Sequence, residues 1–143
     1  MSGIFGYVGK KDSVQVLFDG LGRLEYRGYD SSGIAFANGS VITLYKSPGK
    51  LKDLRNILPA TLPAMTIGIG HTRWATHGEP SVVNAHPHSA KGVSVVHNGI
   101  IENYRELRNE LEAAGHVFTS QTDTEVVPQL IARYVESGLP VEE

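Results

Sequence analysis

The chain of 143 residues is long enough to bury a core and short enough to be one domain or part of one. Its formal charge of −2, with basic residues spread along the chain, leaves no electrostatic footprint for nucleic acid. No apolar run approaches the roughly 20 residues a membrane span needs, and the lack of any cysteine excludes disulfides, thiolate zinc sites and a Cys nucleophile. The N-terminus has no basic region followed by an apolar stretch, so the cytoplasm is the expected location.

Ile4–Val8 reads as a short apolar strand. From Val14 to Tyr26, Val14, Leu17, Leu21 and Leu24 form one stripe of an amphipathic helix. Gly33–Ala37 and Val41–Tyr45 read as strands, and Asn38-Gly39 between them signals a hairpin. A short helix over Leu51–Leu58 is stopped by Pro59. Met65–His71 alternates apolar with small or polar residues, as a half-buried strand does. Val93–His97 is another strand. Between these two lies a long polar stretch, Thr72 to Gly92, dense in side-chain chemistry and therefore read as a functional loop. Ile101–Ala114 repeats the helical stripe, with Gly115 at the left-handed cap position. A last helix over about Thr124–Ser137 turns Val126, Val127, Leu130, Ile131 and Tyr134 inward. Thr122 with Glu125 resembles a capping box at its start. Ending at Glu143, just past that helix, reads as a truncated piece of a longer protein.

Four features carry chemistry. Ser2 follows Met1, and an N-terminal Ser becomes a nucleophile when its own amine takes the hydroxyl proton. With Met1 attached, that nitrogen is an amide and the mechanism is blocked; Met-Ser is also a common start. His97-Asn98-Gly99, between a strand and a helix, offers a side-chain amide and a glycine N–H that form an oxyanion hole if both point into one space. Taken alone, the tripeptide is better read as a plain Asn-Gly turn. Arg73 and Asp123 suit the carboxylate and ammonium of an amino acid, although each alone is more often a surface charge or a helix cap. Lastly, six histidines raise a metal hypothesis through His71, His77, His86 and His88. No His-Glu-x-x-His helix or other common ligand spacing supports it, so no metal is expected.

Taken together and in order, several strings resemble one family. They are Ser2-Gly3-Ile4-Phe5-Gly6, Leu24-Glu25-Tyr26-Arg27-Gly28-Tyr29-Asp30-Ser31, and His71-Thr72-Arg73-Trp74-Ala75-Thr76-His77-Gly78. Asn84-Ala85-His86-Pro87-His88, Val96-His97-Asn98-Gly99-Ile100-Ile101-Glu102-Asn103 and Thr122-Asp123-Thr124-Glu125 follow. The chain resembles the N-terminal glutaminase domain of the glucosamine-6-phosphate synthases, class II glutamine amidotransferases of the Ntn-hydrolase type. The resemblance implies an α+β fold, a four-layer αββα sandwich left incomplete by a chain of residues 1–143, with the sugar-isomerase domains absent. It implies glutamine as substrate, hydrolysed to glutamate by a thiol at position 2, with the ammonia passed to fructose 6-phosphate. Carried over by position, Asn98 and Gly99 hold the oxyanion, and Arg73 and Asp123 bind the α-carboxylate and α-ammonium. Thr76 and His77 line the pocket, Trp74 stands at its mouth, and Arg27 supports the residue-2 loop. No cofactor is implied. The family's Cys is replaced here by Ser2, a far weaker nucleophile, so this chain is expected to be inactive. Truncation leaves apolar faces open, and a homo-oligomer is expected. The rival readings are a glutamine-binding module without turnover, a His-based metal hydrolase and a fragment with no ligand.

Overall fold

The computed structural model describes residues 1–75 and 78–140. Four strands, β1 (Gly3–Val8), β2 (Ser31–Asn38), β3 (Val41–Pro48) and β4 (Ile67–Arg73), form an antiparallel sheet in the order β1-β4-β2-β3. Helices α1 (Ser13–Gly22) and α2 (Leu51–Ile57) cover one face. A second sheet pairs β5 (His88–Ala90) with β6 (Val93–Val95), and α4 (Val126–Glu136) packs on it beside α3 (Tyr104–Ala113). Helices, sheet, sheet and helices make the α+β layering of an αββα sandwich.

The core lies between α1, α2 and the larger sheet. Leu17, Phe18, Leu21, Ile34, Phe36, Leu51, Leu54 and Met65 form its buried cluster. Along β4 the buried face is the glycine face: a Cβ on Gly68 would meet Leu17 at 2.8 Å, and one on Gly70 would meet Leu21 at 2.7 Å. The α1 leucines thus occupy the space those side chains would take, while Ile67 on the other face stays 44% exposed. Large residues on the helix complement small ones on the strand, so apolarity alone does not identify the inward face.

Most elements follow the sequence, and the differences have local causes. The first helix ends at Gly22, and Glu25–Arg27 forms a separate 3-10 turn. Asn38 pairs with Val41, so Gly39 and Ser40 are the central turn residues; Gly39 has φ +60°. Gly at the first central position suits a hairpin turn as well as Asn-Gly would one residue earlier. Gly115 (φ +93°) closes α3 with His116 N–H donating to Leu111 O and Gly115 N–H to Glu112 O, a Schellman cap. The stretch Thr72–Gly92 is not wholly loop, since β5 lies inside it. In α4 the buried face centres on Val126, Gln129 and Ala132, and Tyr134 stands exposed. Gln129 fits inside because its amide donates to Val117 O and its carbonyl meets His116 Nδ1.

The capping box does not form. Glu125 turns away from Thr122 and accepts from the Thr119 and Ser120 amides at 2.8 and 2.7 Å, and from both hydroxyls. A carboxylate with two adjacent N–H donors in reach gains more from them than from one helix-end amide. Glu125 therefore pins the loop that delivers Thr122 and Asp123 to the site.

Candidate active site

The ends of β1 and β4, the turn after Val96 and the start of α4 surround a cavity of about 470 Å³, within the range of small-molecule sites. Ser2, Arg27, Arg73, Trp74, Asn98, Gly99 and Asp123 all line it. Thr76 and His77 lie outside the described residues.

Sheet register places Ser2. Gly3 pairs with Thr72, so residue 2 continues the ladder toward Arg73 and Trp74. The Trp74 amide donates to Ser2 Oγ at 2.9 Å, and the Ser2 carbonyl accepts from Asn98 Nδ2 at 2.9 Å. The Ser2 nitrogen is a peptide amide, and the Met1 ammonium donates instead to Arg27 O at 2.7 Å. Arg27 thus holds the N-terminal segment through its backbone, with its Nη2 also 3.7 Å from Met1 Sδ. Trp74 is 54% exposed at the rim.

Arg73 ends β4 and is 3% exposed. Its Nη2 donates to Gly78 O at 2.9 Å and its Nη1 to Glu79 O at 3.3 Å. Burial lowers its pKa, while Asp30 and Asp123 oppose that shift, and a guanidinium remains charged. Asp123 is buried and accepts the Ile101 amide at 2.7 Å through Oδ2. It therefore holds the turn after Gly99 as well as lining the cavity. Two opposite charges, 50 residues apart in sequence, share one wall. Gly99 has φ +150°, open to glycine and strained for other residues, and a Cβ there would meet His97 Nε2 at 2.9 Å.

Asp30 has a part that its motif alone did not suggest. Its carboxylate accepts the Ala75 amide, and its own N–H donates to Arg73 O at 3.1 Å, which fixes the backbone on both sides of Trp74. A lone Asp ahead of a strand carries no sequence signal for that role.

Along one wall of the cavity, which His71 and His86 line, three imidazoles pack together. His71 and His86 stack at 4.2 Å between centroids and 16° between planes, and His86 meets His88 edge-on at 4.6 Å. Stacked rings direct their nitrogen lone pairs along parallel planes and not at one point, which counts against the His-based metal reading. Among the described residues no group of three His, Asp or Glu is placed to hold a metal ion. Lys46 anchors the segment before β5 through Val83 O and Pro87 O, at 3.4 and 3.3 Å, and His88 Nε2 pairs with Thr122 Oγ1 at 2.7 Å.

Burial lowers the His71 pKa to about 4 and that of His88 to about 3, and pushes His86 down as well. Nearby cations, Arg73 and Lys46 among them, act in the same direction. These rings are neutral in the fold and titrate near pH 6.5 when unfolded. Between pH 6.5 and about 3 the unfolded chain binds more protons, so stability must fall as pH drops through that window. Each histidine adds a slope of about 1.4 kcal/mol per pH unit. Guanidinium midpoints measured from pH 7 to 4 are expected to fall steadily; a flat profile would refute the neutral cluster.

A family model described as a glutamine amidotransferase domain matches residues 74–140. The chain is 55% identical over 141 residues to the glutamine–fructose-6-phosphate aminotransferase (isomerizing) of Clostridium acetobutylicum, covering 97% of this chain and 23% of that protein. The enzyme of the same name from Symbiobacterium thermophilum gives the same figures. That from Agrobacterium fabrum is 52% identical, again over 97% of this chain and 23% of that protein. The chain thus spans about a quarter of the length of the curated relatives it matches. Among solved structures, the glutamine PRPP amidotransferase of B. subtilis superposes with a TM-score of 0.76 at 29% identity, covering 93% of this chain and 29% of that one. A structure titled as the allosteric regulatory enzyme of purine biosynthesis gives 0.78 at 29% identity, covering 93% and 30%. No helix among the described residues is long and apolar enough to cross a membrane.

Proposed function

We propose that this chain, which belongs to the glutamine amidotransferases, is the N-terminal part of a glutaminase domain whose cavity binds glutamine. The observation that supports it most is the convergence of Arg73, Asp123, Asn98 and Ser2 on one cavity. The α-carboxylate pairs with the Arg73 guanidinium and the α-ammonium with Asp123. The side-chain amide then extends to residue 2, its carbonyl oxygen facing Asn98 Nδ2 and the Gly99 N–H. A nucleophile at position 2 attacks the amide carbon, ammonia leaves, and water releases glutamate. Ser2 lacks the thiol for this, and its nitrogen is a basic amine only once Met1 is removed. We therefore read the chain itself as a glutamine-binding form without turnover. In the longer protein, the ammonia passes to fructose 6-phosphate in a sugar-isomerase part. Cytoplasmic residence belongs to that reading. So does a homo-oligomer that covers residues such as Val8 and Val41, exposed by 78% and 62%.

Binding is tested by melting the chain with and without glutamine. At about a hundred times Kd the ligand contributes roughly 2.7 kcal/mol, a rise of about 5–10 °C for a domain of this size. Arg73→Met and Asp123→Asn are each expected to abolish the rise. No shift with glutamine, in a chain that melts cooperatively, would overturn the reading.

A further inference from the structure

One buried ring touches the proposed oxyanion donor. His71, on β4 and 1% exposed, points Nε2 at Asn98 Oδ1 (2.8 Å) and at the His97 carbonyl (3.2 Å). Both are acceptors, so the pairing requires a proton on Nε2. The opposite face of the Asn98 amide supports the direction, because its Nδ2 meets the Ser2 carbonyl at 2.9 Å. A flipped amide would set two oxygens against each other at Ser2, and a bare Nε2 would then face the His97 carbonyl. Only one arrangement satisfies all three contacts. In it, Nδ1 is bare, and it is buried without a hydrogen-bond partner among the described residues. The stack on His86 fixes the ring plane.

We infer that His71 is a positioning residue for the oxyanion hole: its Nε2–H sets the orientation of the Asn98 amide and so aims Nδ2–H at the developing charge. The inference rests on the glutaminase reading. His71 lines the cavity, but its hydrogen bonds run to Asn98 and the His97 carbonyl, and it acts through Asn98. Its neutral state leaves this donor intact, since Nε2 keeps its proton at ordinary pH.

The test uses the chain with Ser2→Cys and Met1 removed, assayed for glutamate release. His71→Phe keeps an aromatic ring for the stack but removes the donor. It is expected to lower kcat about tenfold to a hundredfold, somewhat less than deleting an oxyanion donor outright, with glutamine KM within about twofold. His71→Gln, whose amide nitrogen can stand where Nε2 stood, is expected to recover most of the loss. Asn98→Ala combined with His71→Phe is expected to be no worse than Asn98→Ala alone, because one group acts through the other. Nitrogen-15 NMR of the unsubstituted chain is expected to show His71 protonated on Nε2, a readout that survives if His71→Phe fails to fold. An unchanged kcat in His71→Phe, losses that multiply in the double variant, or a proton on Nδ1 would each overturn the inference alone. Failure of the processed Ser2→Cys chain both to bind glutamine and to release glutamate would overturn the glutaminase reading and this inference with it.

Discussion

Glutamate release is expected to rise by roughly four orders of magnitude or more when Ser2→Cys is combined with removal of Met1, the scale lost when an enzyme's nucleophile is deleted. Two changes are needed because the site lacks two things. A thiol is a few per cent ionised at neutral pH and intrinsically nucleophilic, whereas a serine hydroxyl needs a strong base beside it. In the proposed mechanism the base is the residue's own α-amine, with a pKa of about 7.7–8.0, and that nitrogen is a peptide amide as long as Met1 is attached. Around residue 2 the Trp74 N–H already meets Oγ, and Asn98 already holds the residue-2 carbonyl. Ser2→Cys with Met1 retained is therefore expected to remain near background. Intact mass establishes which form is assayed. If the Ser2→Cys chain, freed of Met1, binds glutamine and still releases no glutamate, residue 2 and the amide are not aligned.

Gly33→Ala is expected to destabilise the fold by about 3 kcal/mol or more, at the upper end for an overpacked site. A Cβ at Gly33 would stand 2.0 Å from the His86 carbonyl oxygen, and backbone cannot swing aside as a side chain can. The nearest escape moves the His86–Pro87 segment off the sheet, which undoes the stack on His71. The expected drop in melting temperature is about 10 °C. Gly6→Ala, where a new Cβ meets nothing within 4 Å, serves as the control. Equal stability of the two variants would show that the second sheet rides loosely on the first.

The elements were legible where period and punctuation agreed. The α1 stripe, the α2 stop at Pro59 and the Gly115 cap all act within a turn or two of chain. Glu125 shows where such reading stops. Its spacing from Thr122 fits a capping box, yet two amides delivered by the loop before it offered better partners. The inward face of β4 was hidden for a similar reason, because glycine is buried there only on account of α1 leucines about 50 residues away. At the site, Arg73, Asp123, Asn98 and Gly99 were named from their chemistry, and the family resemblance assigned them roles. Asp30 and His71 carried no such mark. They serve backbone and a neighbouring amide, and those partners exist only once the sheet has formed.

The β1–β4 ladder has a consequence for substrate choice. Gly3 faces Thr72 at the last rung of the ladder, so residue 2 and residue 73 each lie one step beyond a hydrogen-bonded pair. On the proposed reading, the backbone at the place of attack and at the anchor for the carboxylate is therefore set by a sheet and not by a loop. An amino-acid amide one methylene shorter, gripped at Arg73, leaves its carbonyl short of residue 2, and a single methylene is worth about 1–3 kcal/mol in such a pocket. The strand pair is a caliper, and only a slip in register could reset it.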